Sequence, residues 1–481
     1  MSAQPLAAYL AFDLGASSGR ALLGTLEHGR AALREVHRFP TPLVERGQHL
    51  FWDIEALWAQ VRTGLELAAR EAPQLRSVSV DSWAVDYVPI DERGQPLRDP
   101  YAYRDARTRG RMAQALERIP AEELYRRTGI QLLEINTLYQ LLADMDEEPE
   151  LVRRTAARLP IADYLLYRLS GRAVVERTMA STTQLMTIGS DTWDTGLMRC
   201  LQLSETGWPK IVSPGTVLGA IDARHWPGVT PPLVIASCSH DTAAAVAAVP
   251  AEPEGPAWAY LSSGTWSLLG VERNEPVLTD AARHGNFTNE AGLDDTVRFL
   301  RNLTGLWVLQ ECEREWQAES VTVSRAALLA DAATAPPPAG LLDLDDPRLA
   351  QRGRMPEKLR ACCRELGITL PESRAALVQL IVHSLAASYG RALRQLECIV
   401  AQQIEVLHVV GGGSQNSLLC QLTANACGCR VLAGPAEATA LGNLLVQART
   451  LGDLPPGCSI RDVVRASSEP RVYLPSRLEA S

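Results

Sequence analysis

Lysine is almost missing from this 481-residue chain: Lys210 and Lys358 are the only two, and arginine supplies nearly all of the positive charge. A Walker-type phosphate site needs a lysine at the end of a glycine-rich loop, and neither lysine follows one, so that class of nucleotide-binding protein is excluded. No apolar stretch reaches the length of a membrane span. The opening residues Met1-Ser2-Ala3-Gln4-Pro5-Leu6 carry no basic segment, and the apolar run behind them soon meets Asp13, which argues against a secretory leader. Basic runs are absent too, and the formal net charge is −9. Such a chain is a poor partner for a nucleic-acid backbone or an anionic membrane surface. Among the ten cysteines only Cys362-Cys363 and Cys427-Gly428-Cys429 are close pairs, with no His or Cys at zinc spacing beside them. Buried free thiols in a cytoplasmic protein are the expectation.

What remains is an ordinary globular composition, 46% apolar and 21% charged. At this length one core does not suffice, and two or three domains are expected. The chain opens with a strand at 9–15, a turn Ala16-Ser17-Ser18-Gly19, and strands at 20–26 and 32–39. No helix intervenes. The turn is either an ordinary hairpin turn or one whose small residues let backbone N–H groups converge on an anion, with Ser17 and Ser18 as added donors. In the second case Asp13 is placed to hold a hydrated Mg²⁺ beside that anion. A helix at 53–69 follows, then a strand at 78–90 carrying Asp81, Trp83 and Asp86, which suit a polyol site. Residues 109–117 and the segment after Asn136 read as helices, and 163–195 as an irregular polar and aromatic region.

The strand 233–236 runs into Ser237-Cys238-Ser239-His240-Asp241-Thr242 and an alanine-rich helix. At this turn Asp241 is equally readable as a helix cap or as a catalytic base. The helix dipole favours its ionised form. Beyond 250–256 the pattern of the amino terminus repeats: strand 258–261, turn Ser262-Ser263-Gly264-Thr265, strand 266–270. That echo suggests two related domains, and two such turns together could hold a triphosphate. Residues 302–314 and 372–400 read as helices, the latter with an apolar stripe of Leu377, Leu380, Ile381, Leu385 and Leu393. The strand 406–410 enters Gly411-Gly412-Gly413, where backbone can approach a flat ring such as adenine. A helix at 417–426, a strand at 430–433 and a helix at 438–450 complete a further α/β unit.

Four stretches together resemble the FGGY family of carbohydrate kinases. They are Asp13-Leu14-Gly15-Ala16-Ser17-Ser18-Gly19-Arg20, Ser239-His240-Asp241-Thr242, Leu261-Ser262-Ser263-Gly264-Thr265-Trp266-Ser267 and Val410-Gly411-Gly412-Gly413-Ser414-Gln415-Asn416. Further stretches, among them Asp81-Ser82-Trp83-Ala84-Val85-Asp86, Asn136-Thr137-Leu138-Tyr139-Gln140 and Asn302-Leu303-Thr304-Gly305-Leu306-Trp307, extend the likeness over nearly the whole chain. The resemblance implies an α/β fold of two actin-like, ribonuclease H-like ATPase domains facing a central cleft. Residues 1–248 would bind sugar and phosphate, and residues 249–481 ATP.

The implied activity is transfer of the ATP γ-phosphoryl group to the 1-hydroxyl of a ketose. The additional stretches point to L-rhamnulose, with Mg²⁺ and ATP as cofactors. Asp241 is the implied base, flanked by His240 and Thr242 in the sugar site, with Asn302 a further sugar contact. Ala16, Ser17, Ser18, Gly19 and Arg20 hold ATP phosphates, Thr265 belongs to the second phosphate turn, and Gln310 and Gly412 contact the nucleotide. Ala84 occupies a sugar-facing position where the family pattern has glycine, which keeps L-fuculose, L-ribulose and D-xylulose open as substrates. A non-catalytic ATP-binding sensor on the same fold is the alternative from another class; a sensor has no need of Asp241. Monomer and homodimer both fit.

Overall fold

The computed structural model describes residues 7–228, 230–319 and 324–476. The six amino-terminal residues, read above as lacking a leader, lie outside that range. The chain divides into two units, the first drawn from three stretches: Met1–Pro250, Glu272–Phe299 and Ala438–Ser467. Ala251–Val271, Leu300–Glu437 and Ser468–Ser481 make the second.

The core of the first unit grows from the strand Ala8–Leu14, in which Tyr9, Leu10, Ala11 and Phe12 are fully buried. A continuous apolar run of this kind suits a strand covered on both faces. It pairs antiparallel with Ser18–Glu27, which pairs antiparallel with Arg30–Pro40. On its other side it pairs parallel with Leu75–Ser82, then comes Leu233–Ala236, also parallel, and antiparallel Thr216–Ala220 closes the six-stranded order. Helix Ile54–Glu71 begins at Asp53, whose carboxylate accepts from Ala56 N at 2.9 Å, and buries Leu57, Trp58, Val61, Leu65 and Ala68.

The second unit repeats this plan. Trp258–Ser263 pairs antiparallel with Trp266–Arg273 and parallel with Val406–Val410, which is followed by parallel Arg430–Ala433 and antiparallel Arg471–Tyr473. The echo read from the two Gly/Ser turns is thus an echo of strand order and direction. Helix Arg374–Val400, capped by Ser373, buries the predicted leucine stripe.

Helix Ala438–Thr450, which chain order alone puts with the second unit, is counted with the first. Gln447 ties it there, donating to Leu10 O at 3.1 Å and accepting from Ser77 Oγ at 2.7 Å. Glycine at 442 permits the approach: a Cβ there would stand 1.8 Å from the carbonyl oxygen of Ala244.

Four local readings are corrected. The expected strand 78–90 is two strands, Leu75–Ser82 and Tyr87–Ile90, the second paired with Ala157–Pro160. The break has a cause in Asp86, whose buried carboxylate collects Trp52 Nε1, Trp83 Nε1, Tyr103 N and Gln140 Nε2 and turns the chain, with Val85 at φ 69°. Asp86 and Trp83 are therefore committed to each other rather than open to a polyol. The region 163–195 is largely ordered, with helices Ile161–Ser170 and Arg177–Ser181. Asn302 lies on the strand Val297–Thr304, and the helix expected over it begins only at Trp307 because Gly305 packs against the backbone of Gly264 and Trp266. The helix expected at 109–117 is shorter, Arg111–Leu116.

Among the described residues no helix is long and apolar enough to cross a membrane. Gly442→Val should destabilise the first unit by about 1–3 kcal/mol, since the added side chain cannot fit against Ala244. A denaturant melt with unchanged midpoint would show that the helix is not held at this distance.

Candidate active site

Three carboxylates converge where parallel strands of the first unit end. Asp13 and Asp81 are direct register partners on adjacent strands. Asp241 follows the third strand, where Ser82 N donates to Ser239 O at 2.9 Å. Each has a different environment. Asp13 is ion-paired to Arg20, Nη2 to Oδ2, at 2.5 Å. Asp81 is fully buried and takes a 2.5 Å hydrogen bond from Asn443 Nδ2 on Oδ2, while its Oδ1 has no hydrogen-bond partner among the described residues. Burial above all, then the charges of Asp13 and Asp241, raise Asp81 well above the usual carboxylate range, which favours its neutral form.

Asp241 is the first residue of the short helix Asp241–Ala247; the cap position belongs to His240, which makes no side-chain cap bond. The Asp241 side chain retains 31% exposure, and its depth in the strand-end cluster, followed by the charge of Asp13, raises it to about 7. The helix dipole does not outweigh that desolvation. The expectation of a fully ionised carboxylate is thereby corrected to one poised between two states. Its Oδ1 accepts two bonds, from Thr242 N at 2.5 Å and Thr242 Oγ1 at 3.1 Å, and His240 Nε2 stands 3.3 Å from the same oxygen. Among the described residues Oδ2 has no such partner and is the oxygen left to take a proton.

The turn before Asp241 is braced from behind. Ser239 N donates to Glu176 Oε2 at 2.9 Å, Ser239 Oγ to Asp163 Oδ1 at 3.3 Å, and His240 N to Thr178 Oγ1 at 3.2 Å. Burial raises both carboxyls, Glu176 to about 7 and Asp163 well above its ordinary range. Neutral acids can sit in an apolar interior at tolerable cost where ions cannot. His240 is shifted the other way: burial and the charge of Arg298 hold it well below its usual value, so its imidazole is neutral.

The small-residue turn is a closed loop in which Gly15 N donates to Ser18 O at 3.0 Å and Thr41 Oγ1 donates to Gly15 O at 2.6 Å. Ala16, Ser17 and Ser18 are left at least partly exposed around it, and Gly19 is packed on Phe39, where a Cβ would stand 2.4 Å from the ring. Ala84 lies half-buried in the bend after the Asp81 strand.

In the second unit Thr265 Oγ1 donates to Gln310 Oε1 at 3.2 Å, and Trp307 N to Thr265 O at 3.1 Å. The triple glycine lies against the same turn. Gly411 has φ 80°, and a Cβ on Gly413 would stand 2.0 Å from Ser263 Oγ, whereas one on Gly412 would meet nothing within 4 Å. Thr265, Gln310 and Gly412 are thus gathered around one turn. Asn302 stands half-buried on its strand in the same unit.

Sequence reasoning missed Asn443, Arg298 and Glu290. The signal was present for two of them: an amide inside the apolar helix run Leu441-Gly442-Asn443-Leu444, and a charge inside Val297-Arg298-Phe299-Leu300. Glu290 carries no comparable mark.

The model of the amino-terminal domain of the FGGY family of carbohydrate kinases matches residues 8–248, and that of its carboxy-terminal domain residues 259–451. A rhamnulokinase of Bacteroides thetaiotaomicron is 39% identical over 474 residues, covering 98% of this chain and 96% of that protein. A rhamnulokinase of Klebsiella pneumoniae is 41% identical over 471 residues, 97% and 94% of the two chains. Among solved structures, a xylulose kinase of Lactobacillus acidophilus superposes with a TM-score of 0.78 at 18% identity over 98% of this chain and 94% of that one. A glycerol kinase of Plasmodium falciparum with ADP superposes with a TM-score of 0.77 at 14% identity, with the same coverage. The chain belongs to the FGGY family of carbohydrate kinases. It is an ATP-dependent sugar kinase with a mixed α/β, actin-like fold.

Because the folded protein holds Asp241 above the ordinary carboxylate value of about 3.9, its neutral form favours folding, and that advantage is lost as pH rises through about 7. Asp241→Asn should therefore melt higher than the native chain by a margin that grows between pH 4 and pH 8. A margin independent of pH, measured by scanning fluorimetry, would show that Asp241 carries no ionisation cost.

Proposed function

We infer that the chain transfers the γ-phosphoryl group of ATP to the 1-hydroxyl of L-rhamnulose, giving L-rhamnulose 1-phosphate and ADP. The observation that carries the chemistry is the division of labour on Asp241, with Oδ1 taken up by the two donors of Thr242 and faced by His240 Nε2, and Oδ2 left over in a carboxyl poised near neutrality. The ketose assignment rests on the two rhamnulokinases that match it at about two-fifths identity over nearly their full length.

A primary hydroxyl does not ionise unaided near neutral pH. Asp241 Oδ2 accepts its proton as the oxygen attacks phosphorus and the bond from the γ-phosphorus to the bridging oxygen of ADP breaks. His240, Thr242, Ala84 and Asn302 orient the sugar. Backbone N–H groups of Ala16 to Arg20, with the Ser17 and Ser18 hydroxyls, take the phosphates, and Thr265 contributes from the second turn. Gln310 and the open Gly412 meet the nucleoside. Mg²⁺ fits beside Asp13 as a hydrated ion: no three His, Cys, Asp or Glu among the described residues could hold a metal ion directly, so Asp13 would reach it through water. When bound it lowers the charge on the phosphoryl oxygens. We place the reaction in the cytoplasm, carried out by a monomer or a homodimer, with residues 1–248 serving sugar and phosphate and 249–481 serving ATP.

ADP release from a panel of L-rhamnulose, L-fuculose, L-ribulose and D-xylulose tests the assignment. L-rhamnulose should give the highest kcat/KM, with an acid limb set by one proton near pH 7. Preference for another ketose would assign the Ala84 methyl a different sugar, and no ADP with any of them would end the kinase reading. Asp241→Asn should lower kcat by on the order of 10³-fold or more while remaining folded. Gly412→Leu, at a position with room for a side chain, should raise KM for ATP far more than for the ketose. Equal effects on both would move the nucleoside elsewhere.

A further inference from the structure

Arg298 is the largest fully buried side chain of the protein, and the reaction as derived gives it no task. A guanidinium with no exposure is costly unless its donors are used. Its Nε donates to Ala291 O at 3.0 Å. Its Nη2 stands 3.1 Å from Glu290 Oε2 and 3.1 Å from His240 Nδ1. All four residues belong to the first unit.

The last of these contacts has a chemical direction. Arginine has donors and no acceptor, so the contact is a hydrogen bond only if His240 Nδ1 carries a lone pair. Glu290 Oε2, 3.4 Å from the same nitrogen, would favour a proton there, but it is farther away and makes no hydrogen bond to it, whereas Arg298 Nη2 does. The opposite ring nitrogen decides between the two tautomers. Nε2 faces Asp241 Oδ1 at 3.3 Å, an acceptor that gains from an N–H and is repelled by a lone pair. Only the Nε2–H tautomer of a neutral ring satisfies both sides.

We propose that Arg298 is a positioning residue of the kinase reaction: by donating to His240 Nδ1 it fixes the imidazole as the Nε2–H tautomer, which holds Asp241 Oδ1 and leaves Oδ2 as the proton-accepting oxygen. This rests on Asp241 acting as the base. Glu290 balances the charge of Arg298 without reaching Asp241. The device is a line of three side chains in which the arginine acts through the imidazole.

Nitrogen-15 NMR of histidine-labelled native protein, with the His240 signal identified by its loss in His240→Gln, reads the tautomer directly. A neutral ring protonated at Nε2 is expected, and a proton on Nδ1 overturns the proposal whether or not any sugar is turned over. Arg298→Met should lower kcat about 10- to 100-fold with KM for ATP unchanged, the loss typical of residues that orient a functional group from behind. Arg298→Lys, which keeps a donor, should recover part of that loss. In the His240→Gln background Arg298→Met should change kcat by no more than about twofold, because the two act through one contact. Independent, multiplying losses would overturn the proposal. If Arg298→Met does not fold with Glu290 left unbalanced, the Arg298→Met/Glu290→Gln pair is measured against Glu290→Gln in its place. Failure of the native chain to phosphorylate any ketose would remove the assigned reaction, and the NMR result would still decide how His240 is held.

Discussion

Three carboxyl groups brought to the ends of neighbouring parallel strands cannot all be charged in a desolvated place. That electrostatic constraint organises the first unit. Each acid is settled differently: Asp13 by an ion pair with Arg20, its partner across the hairpin, Asp81 by an amide and by burial that favours its neutral form, Asp241 by a compromise that leaves it half-ionised near neutrality. The neighbours that achieve this come from distant parts of the sequence. Arg20 lies on the second strand, Asn443 on a helix near the carboxyl end, and His240 on the turn beside Asp241.

The same constraint explains why the ground behind the site is so polar. Asp163, Glu176, Ser239 and Thr178 form a buried set that fixes the turn, and two of its members are carboxyls raised by burial. A packed apolar backing would fill the space equally well but would leave the backbone N–H groups of Ser239 and His240 without acceptors. Rigidity at Asp241 is thus obtained from hydrogen bonds, in a unit whose sheet core is otherwise aliphatic.

Much of this was legible in the residues. The two hairpins with their Gly/Ser turns, the strands into His240-Asp241 and Gly411-Gly413, and the long helix after Ser373 are marked by local chemistry: small residues at turns, a capping hydroxyl, an apolar stripe. What was not legible depends on partners far away in sequence. Asp86 breaks a strand because donors from three other segments join Trp83 on it. Asn302 is in a strand because Gly305, not the residue before it, is where the backbone must turn. The ionisation of Asp241 follows from Asp13 and from depth, neither of which a local dipole argument contains. Arg298 and Asn443 stood out as polar residues in apolar runs, yet the pattern names no partner for either.

Helix Ala438–Thr450 has a consequence for how the protein comes into being. The first unit opens the chain, but its sheet is tied to Gln447 through Leu10 and Ser77, and Asp81 accepts its hydrogen bond from Asn443. A ribosome making about 5–20 residues per second delivers that helix only after Ala251–Val271 and Leu300–Glu437 of the second unit. Until then Asp81 lacks the Asn443 amide, and Leu10 and Ser77 lack Gln447. Synthesis therefore interleaves the two units, and the first is finished only after most of the second has been made. A chain that stops before residue 443 therefore sets Asp81 beside Asp13 and Asp241 without the amide that its carboxylate depends on.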